Sequence, residues 1–182
     1  MEVVEGRTDI DSVGEFVTDI DAIGRRRGVT VQAFDARYVV DRAHLERAVE
    51  LAERARARGE TIAEDFGVEI LLYAAGRRQI NRALEMGVSE GTCPVVAVIA
   101  GDGDGDQRAT EGAPDGRARS VRQQRAAATD LRDQLTEAET LGAYDEGRVR
   151  DFFDVSDTEL DATEGTLADA VRERVALLPV EK

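Results

Sequence analysis

The sequence predicts a mixed α/β fold (α+β in arrangement), with a small four-stranded sheet, mixed or antiparallel, packed by helices and followed by a helical C-terminal third. Three observations predict it. The 182 residues suit one domain, spanning 1–182. Apolar residues make up 42% of the chain, enough at this length to bury a substantial core. Short β-branched runs also interleave with stretches whose apolar residues recur every three and four positions. No internal repeat is visible.

The elements follow in order. Val3 to Glu5 reads as a short opening strand. From Asp11 the pattern is helical, with Val13, Phe16, Val17, Ile20 and Ile23 on one stripe, until Arg25-Arg26-Arg27-Gly28 ends it. Val29 to Phe34 alternates as a strand. A second helix starts near Asp41, a candidate N-cap, buries Leu45, Ala48, Val49, Ala52 and Ala55, and stops at Gly59. Thr61 to Phe66 fits another helical turn. Glu69 to Ala75 (EILLYAA) suits strand or helix by periodicity, and its length and the flanking Gly67 and Gly76 favour a buried strand. Arg77 to Met86 then reads as a helix with Ile80, Ala83 and Leu84 on one face. Pro94 to Ala100 is the fourth strand. The glycine- and aspartate-rich segment at about 101–120 has no apolar period and is expected to be a flexible acidic insertion. Helical pattern resumes through Ala126, Leu131 and Leu135, and again around Val149, Phe152 and Phe153. In the last helix, Thr166 and Asp169 fit a capping box ahead of the stripe Leu167, Ala170, Val171, Val175 and Leu178.

Charge and cysteine content remove several chemistries. With 24 basic and 38 acidic residues the net charge is −14, and Lys182 is the only lysine. Such a bias resembles the proteins of extreme halophiles. In molar salt the Debye length shrinks to ~3 Å, so net charge says little about partners while local arginine clusters keep their meaning. Cys93 is the only cysteine and His44 the only histidine, which excludes an intrachain disulfide and a Cys/His zinc cage. No apolar run approaches the ~20 residues of a bilayer span and the N-terminus lacks a leader pattern, so the expected location is the cytoplasm, with no membrane contact.

The short motifs weaken on inspection. Asp102 to Asp106 starts like a calcium loop, but Gln107 stands where glycine is needed and Ala113 where a bidentate glutamate is needed. The same glycines lack the lysine of a phosphate loop, and their aspartates repel phosphate. His44, in the first turn of a helix, has no Ser or Cys placed as its nucleophile, and Cys93 reads as a buried small apolar residue. No catalytic residue and no cofactor is predicted.

Arg77-Arg78-Gln79-Ile80-Asn81-Arg82 is the unusual constellation. Arginines at a helix start add positive charge to the positive end of the dipole, which makes sense if an anion docks there. The alternative is that a nearby carboxylate neutralises both arginines. Arg25-Arg26-Arg27 lies at a helix C-terminus, where cations are favoured.

Gly67 to Gly91 (GVEILLYAAGRRQINRALEMGVSEG), with AHLERAVELAERA and the tail TLADAVRERVALLPV from Thr166 to Val180, resembles the small kinase-binding regulatory subunit of the KEOPS complex. The resemblance covers the chain apart from the insertion. It implies a non-catalytic subunit that binds the small kinase-like ATPase of that complex. It also implies binding to the 3′ CCA end of tRNA, in support of threonylcarbamoyladenosine synthesis at tRNA position 37. On that expectation Arg77, Arg78, Gln79, Asn81 and Arg82 contact RNA, and Leu167, Val171, Val175, Leu177 and Leu178 serve the partner surface, with Leu177 lying off the core stripe. Phe34, Tyr38, Phe66 and Tyr73 are the nearest aromatics for base stacking. The competing expectation is a small-molecule enzyme or anion-binding protein using Arg77 and Arg78.

Overall fold

A computed structural model describes residues 1–101, 114–162 and 165–179. Its sheet has three strands, β1 (Glu2–Ile10), β2 (Val29–Asp35) and β3 (Gly91–Gly101), ordered β1-β3-β2 and antiparallel throughout. β3 is the central strand. Its side chains alternate between two cores, and both are fully covered, which is why its sequence is apolar almost without interruption. Val96, Val98 and Ala100 join Phe34 in a core built with α2 (Arg42–Arg58), α3 (Phe66–Ala75), α6 (Glu146–Phe153) and α8 (Leu167–Leu177). Cys93, Val95, Ala97 and Ile99 join Val31 and Ala33 in a second core, against α1 (Val13–Arg27) and α5 (Pro114–Arg132). The sheet is therefore sandwiched between two helical layers. Leu45, Ile70, Leu72 and Ile99 are almost wholly buried, each contributing ~1.5–3 kcal/mol.

Local chemistry sets most helix ends. Ser12, Asp41, Asp65, Asp145 and Thr166 each accept a hydrogen bond from a backbone N–H of the first turn they open. The capping box of Thr166 and Asp169 is complete, and the Thr166 N–H and hydroxyl together with Arg172 hold the Asp169 carboxyl at about 2. Beyond α5 the chain returns along the sheet edge: Arg7 bridges to Thr136, and Glu5 accepts from the backbone N–H groups of Thr140 and Leu141 at 2.7 Å each. α7 (Asp157–Ala162) precedes α8. No helix among the described residues is long and apolar enough to cross a membrane.

The structure corrects four expectations. Glu69–Ala75 is the body of helix α3, so the sheet has three strands instead of four. Nearly every residue of α3 is buried, between α2, α8 and β2, and a helix apolar all round shows no periodicity to separate it from a buried strand. Thr61–Phe66 is not a helical turn; the backbone N–H groups of Ile62 and Ala63 donate to the buried Glu69 carboxylate instead. Arg77–Met86 is not one helix: α4 (Ile80–Ala83) is a single turn continued by a 3-10 turn, Leu84–Met86. The end of the expected insertion, from Pro114 to Ser120, belongs to α5, while 102–113 lies outside the described residues.

Candidate partner and RNA interface

α3 ends at Gly76, which takes the left-handed conformation (φ 58°) that disfavours any side chain. Arg77 N–H donates back to the Leu72 carbonyl at 3.1 Å, so Arg77 and Arg78 leave a helix C-terminus instead of opening a helix. Arg77 stands at the negative end of the α3 dipole, where a cation is favoured without any bound anion. Arg77 is half-buried and already occupied. Its guanidinium donates to the Phe152 carbonyl and to the Asp154 carboxylate at 2.8 Å, capping the end of α6, and lies 5.7 Å from the Phe152 ring centroid. Neutralisation by a nearby carboxylate thus describes Arg77.

The rest of the turn faces outward. Arg78, Gln79, Asn81 and Arg82 are exposed. Arg78 reaches the Leu178 carbonyl at 3.4 Å, and Arg82 pairs with Glu85 one turn on. Gln79 precedes α4, and its carbonyl accepts from Arg82 and Ala83 N–H. Four of the five expected RNA contacts therefore line one surface turn, and the fifth braces the fold.

α8 divides in the same way. Leu167, Val171, Val175 and Leu178 are buried in the chain's own core, whereas Leu177 is 41% exposed. Arg174, whose backbone lies against Gly76, holds Glu159 and the Phe153 and Asp154 carbonyls. Arg172 ties α8 to Asp41 at the start of α2. Arg172 and Arg174 thus tie α8 to Asp41 and Glu159, and apolar burial holds it along its length.

Sequence reasoning missed Ile80 and Leu84. Both were expected to share a helix face with Ala83; they are 45% and 54% exposed, while Ala83 and Met86 are buried. Ile80 lies two residues beyond Arg78, hence within ~7.6 Å along the chain of the residue bonded to Leu178. Arg78 thus links the turn that carries Ile80 to the end of α8. Ile80 and Leu84, four residues apart, face solvent together while Ala83 and Met86 turn to the core. Of the expected stacking aromatics, Phe34, Phe66 and Tyr73 are buried, and partly exposed Tyr38 packs edge-on against Phe152 at 5.3 Å.

Other candidates resolve into structure. His44 is buried, with Nε2 2.7 Å from the Ala74 carbonyl, and Cys93 is buried in the second core, where burial raises its thiol pKa. Among the described residues no group of three or more His, Cys, Asp or Glu side chains is placed to hold a metal ion. Compared with known proteins, residues 9–178 match the family described as kinase binding protein CGI-121, almost the whole chain, and the chain belongs to that family. No curated protein matches it.

Proposed function

From membership in a kinase-binding family, we propose that the chain is the non-catalytic kinase-binding subunit of a KEOPS-type complex, cytoplasmic, supporting threonylcarbamoyladenosine synthesis on tRNA. The observation that supports this reading is the exposure of large apolar side chains on two linked segments, Ile80 and Leu84 on the α4 turn and Leu177 at the end of α8, which the Arg78–Leu178 hydrogen bond ties together. Exposed apolar residues on so acidic a surface suit the docking of a protein. The kinase-like subunit docks there. Arg78, Gln79, Asn81 and Arg82 beside it engage the 3′ CCA end of tRNA, with hydrogen bonds to base edges adding to phosphate contact. The catalytic chemistry and the ATP belong to other subunits.

Leu177→Glu tests the kinase part. A charge at the end of α8 should abolish co-purification of the kinase-like subunit while circular dichroism stays unchanged, because Leu177 is outside the core. A folded variant that holds the kinase as before removes this face. Arg78→Ala/Arg82→Ala tests the RNA part: affinity should fall for intact tRNA and be unaffected for tRNA trimmed of its CCA end.

A further inference from the structure

We propose that the solvent face of α5 is a second nucleic-acid surface, one that holds the phosphate backbone and lies on the opposite side of the sheet from α8. The proposal rests on the tRNA-binding part of the reading above. Eight side chains of α5 are exposed among those described; five are arginine, Arg117, Arg119, Arg122, Arg125 and Arg132, and none is a carboxylate. In a chain with 38 acidic residues against 24 basic ones this is a strong local reversal of sign. At 1.5 Å per residue the arginines extend over ~22 Å of helix.

Neighbouring groups reinforce the reversal. Asp130, the carboxylate within the last turn of α5, is gripped by Arg26 and Arg27 at 2.9 and 2.8 Å, which holds its carboxyl at about 2. Gly28 packs on Gln123. The Arg25-Arg26-Arg27 end of α1 is thereby docked against the arginine face. Arg125 approaches Glu2 of β1 at 3.7 Å and stays exposed. On α5, Arg119, Arg122 and Arg125 follow one another at i,i+3, a spacing at which like charges repel. A polyanion laid along such a face would offset that repulsion.

The composition of the face selects the polyanion. Val121 is the one exposed large apolar side chain among those described on α5, so the face lacks the apolar centre that a protein interface needs. Phosphates need none, and guanidinium forks bind them bidentately. Because α5 and α8 sit on opposite layers, RNA on α5 leaves the kinase surface open.

The test uses the full chain carrying Arg117→Gln/Arg119→Gln/Arg122→Gln/Arg125→Gln, substitutions that keep helix propensity. A milder pair, Arg117→Gln/Arg122→Gln, gives an intermediate reading if the quadruple variant folds poorly. Fluorescence titrations follow intact and CCA-trimmed tRNA at about 50 and 200 mM KCl, the range over which phosphate contacts change affinity steeply. The quadruple variant should bind both RNAs at least tenfold more weakly at the lower salt. The slope of log K against log salt should flatten by about three, and kinase co-purification should persist. Wild-type affinity and slope in the variants would overturn the α5 surface while leaving the end site standing. Absence of RNA binding by the unaltered protein would overturn both. Loss of the kinase with RNA affinity retained would assign the face to an acidic protein and overturn the nucleic-acid proposal.

Discussion

His44 should make the stability of this fold pH-dependent between about pH 7 and 5.5, where few other side chains ordinarily titrate. The ring is buried at the meeting of four elements. Its backbone N–H donates to Asp41 at the start of α2, Nε2–H donates to the Ala74 carbonyl at the end of α3, Phe153 of α6 packs edge-on at 5.8 Å, and Arg172 of α8 stands nearby. Nδ1 meets no partner among the described residues, so a proton added there finds no acceptor. Burial lowers the pKa from its ordinary value near 6.5; Arg172 adds to this, and Ala74 and Asp41 oppose it. The unfolded chain therefore takes up a proton near pH 6.5 that the folded chain refuses. Stability is flat above that pH and falls as pH drops below it, until the folded-state pKa is reached, at no more than ~1.4 kcal/mol per pH unit for one proton. His44 is the only histidine, and Asp and Glu ordinarily titrate near pH 4, so between about pH 7 and 5.5 this slope is its signature. Urea unfolding followed by circular dichroism at several pH values measures it. His44→Phe should lower stability at pH 7 by about 1–3 kcal/mol, because the Ala74 carbonyl loses its donor, and should abolish the slope. An unchanged slope in the variant, or none in the wild type, would refute the assignment.

Two other positions give sharp expectations. Glu69→Ala removes the acceptor that Ile62 and Ala63 N–H reach at 3.0 and 2.8 Å; a loss of about 1–3 kcal/mol is expected, with faster hydrogen exchange at those two amides. Gly6→Ala places a methyl group 2.7 Å from the Thr136 carbonyl oxygen, too close for either backbone to keep its place; a cost of about 1–3 kcal/mol should appear as a lower Tm, with faster exchange at Arg7 and Thr136 N–H. A Tm equal to wild type would show that the edge segment yields freely.

Sequence alone determined the features whose cause is local. Asp41 and Gly59 bound α2 because a capping carboxylate and a left-handed glycine act within one turn, and the Thr166 and Asp169 box opens α8 for the same reason. The stripe from Leu167 to Leu178 is buried as its period requires, and period-two and β-branched patterning located β2 and β3. Even the family resemblance is a local signal, three motifs in order. Tertiary structure decided the rest. α3 is a helix because α2, α8 and β2 enclose it on every side, and enclosure on all sides erases the polar face that would have revealed its period. Arg77 became a brace and Arg78 a surface group because the Phe152 carbonyl and Asp154, 75 and 77 residues away in sequence, lie beside the end of α3. Ile80 and Leu84 face solvent while Ala83 and Met86 face the core, and Asp130 on α5 is held by Arg26 and Arg27 of α1, 104 and 103 residues away in sequence. A guanidinium has the same chemistry at every one of these sites; what occupies its donors depends on which distant segment folds against it.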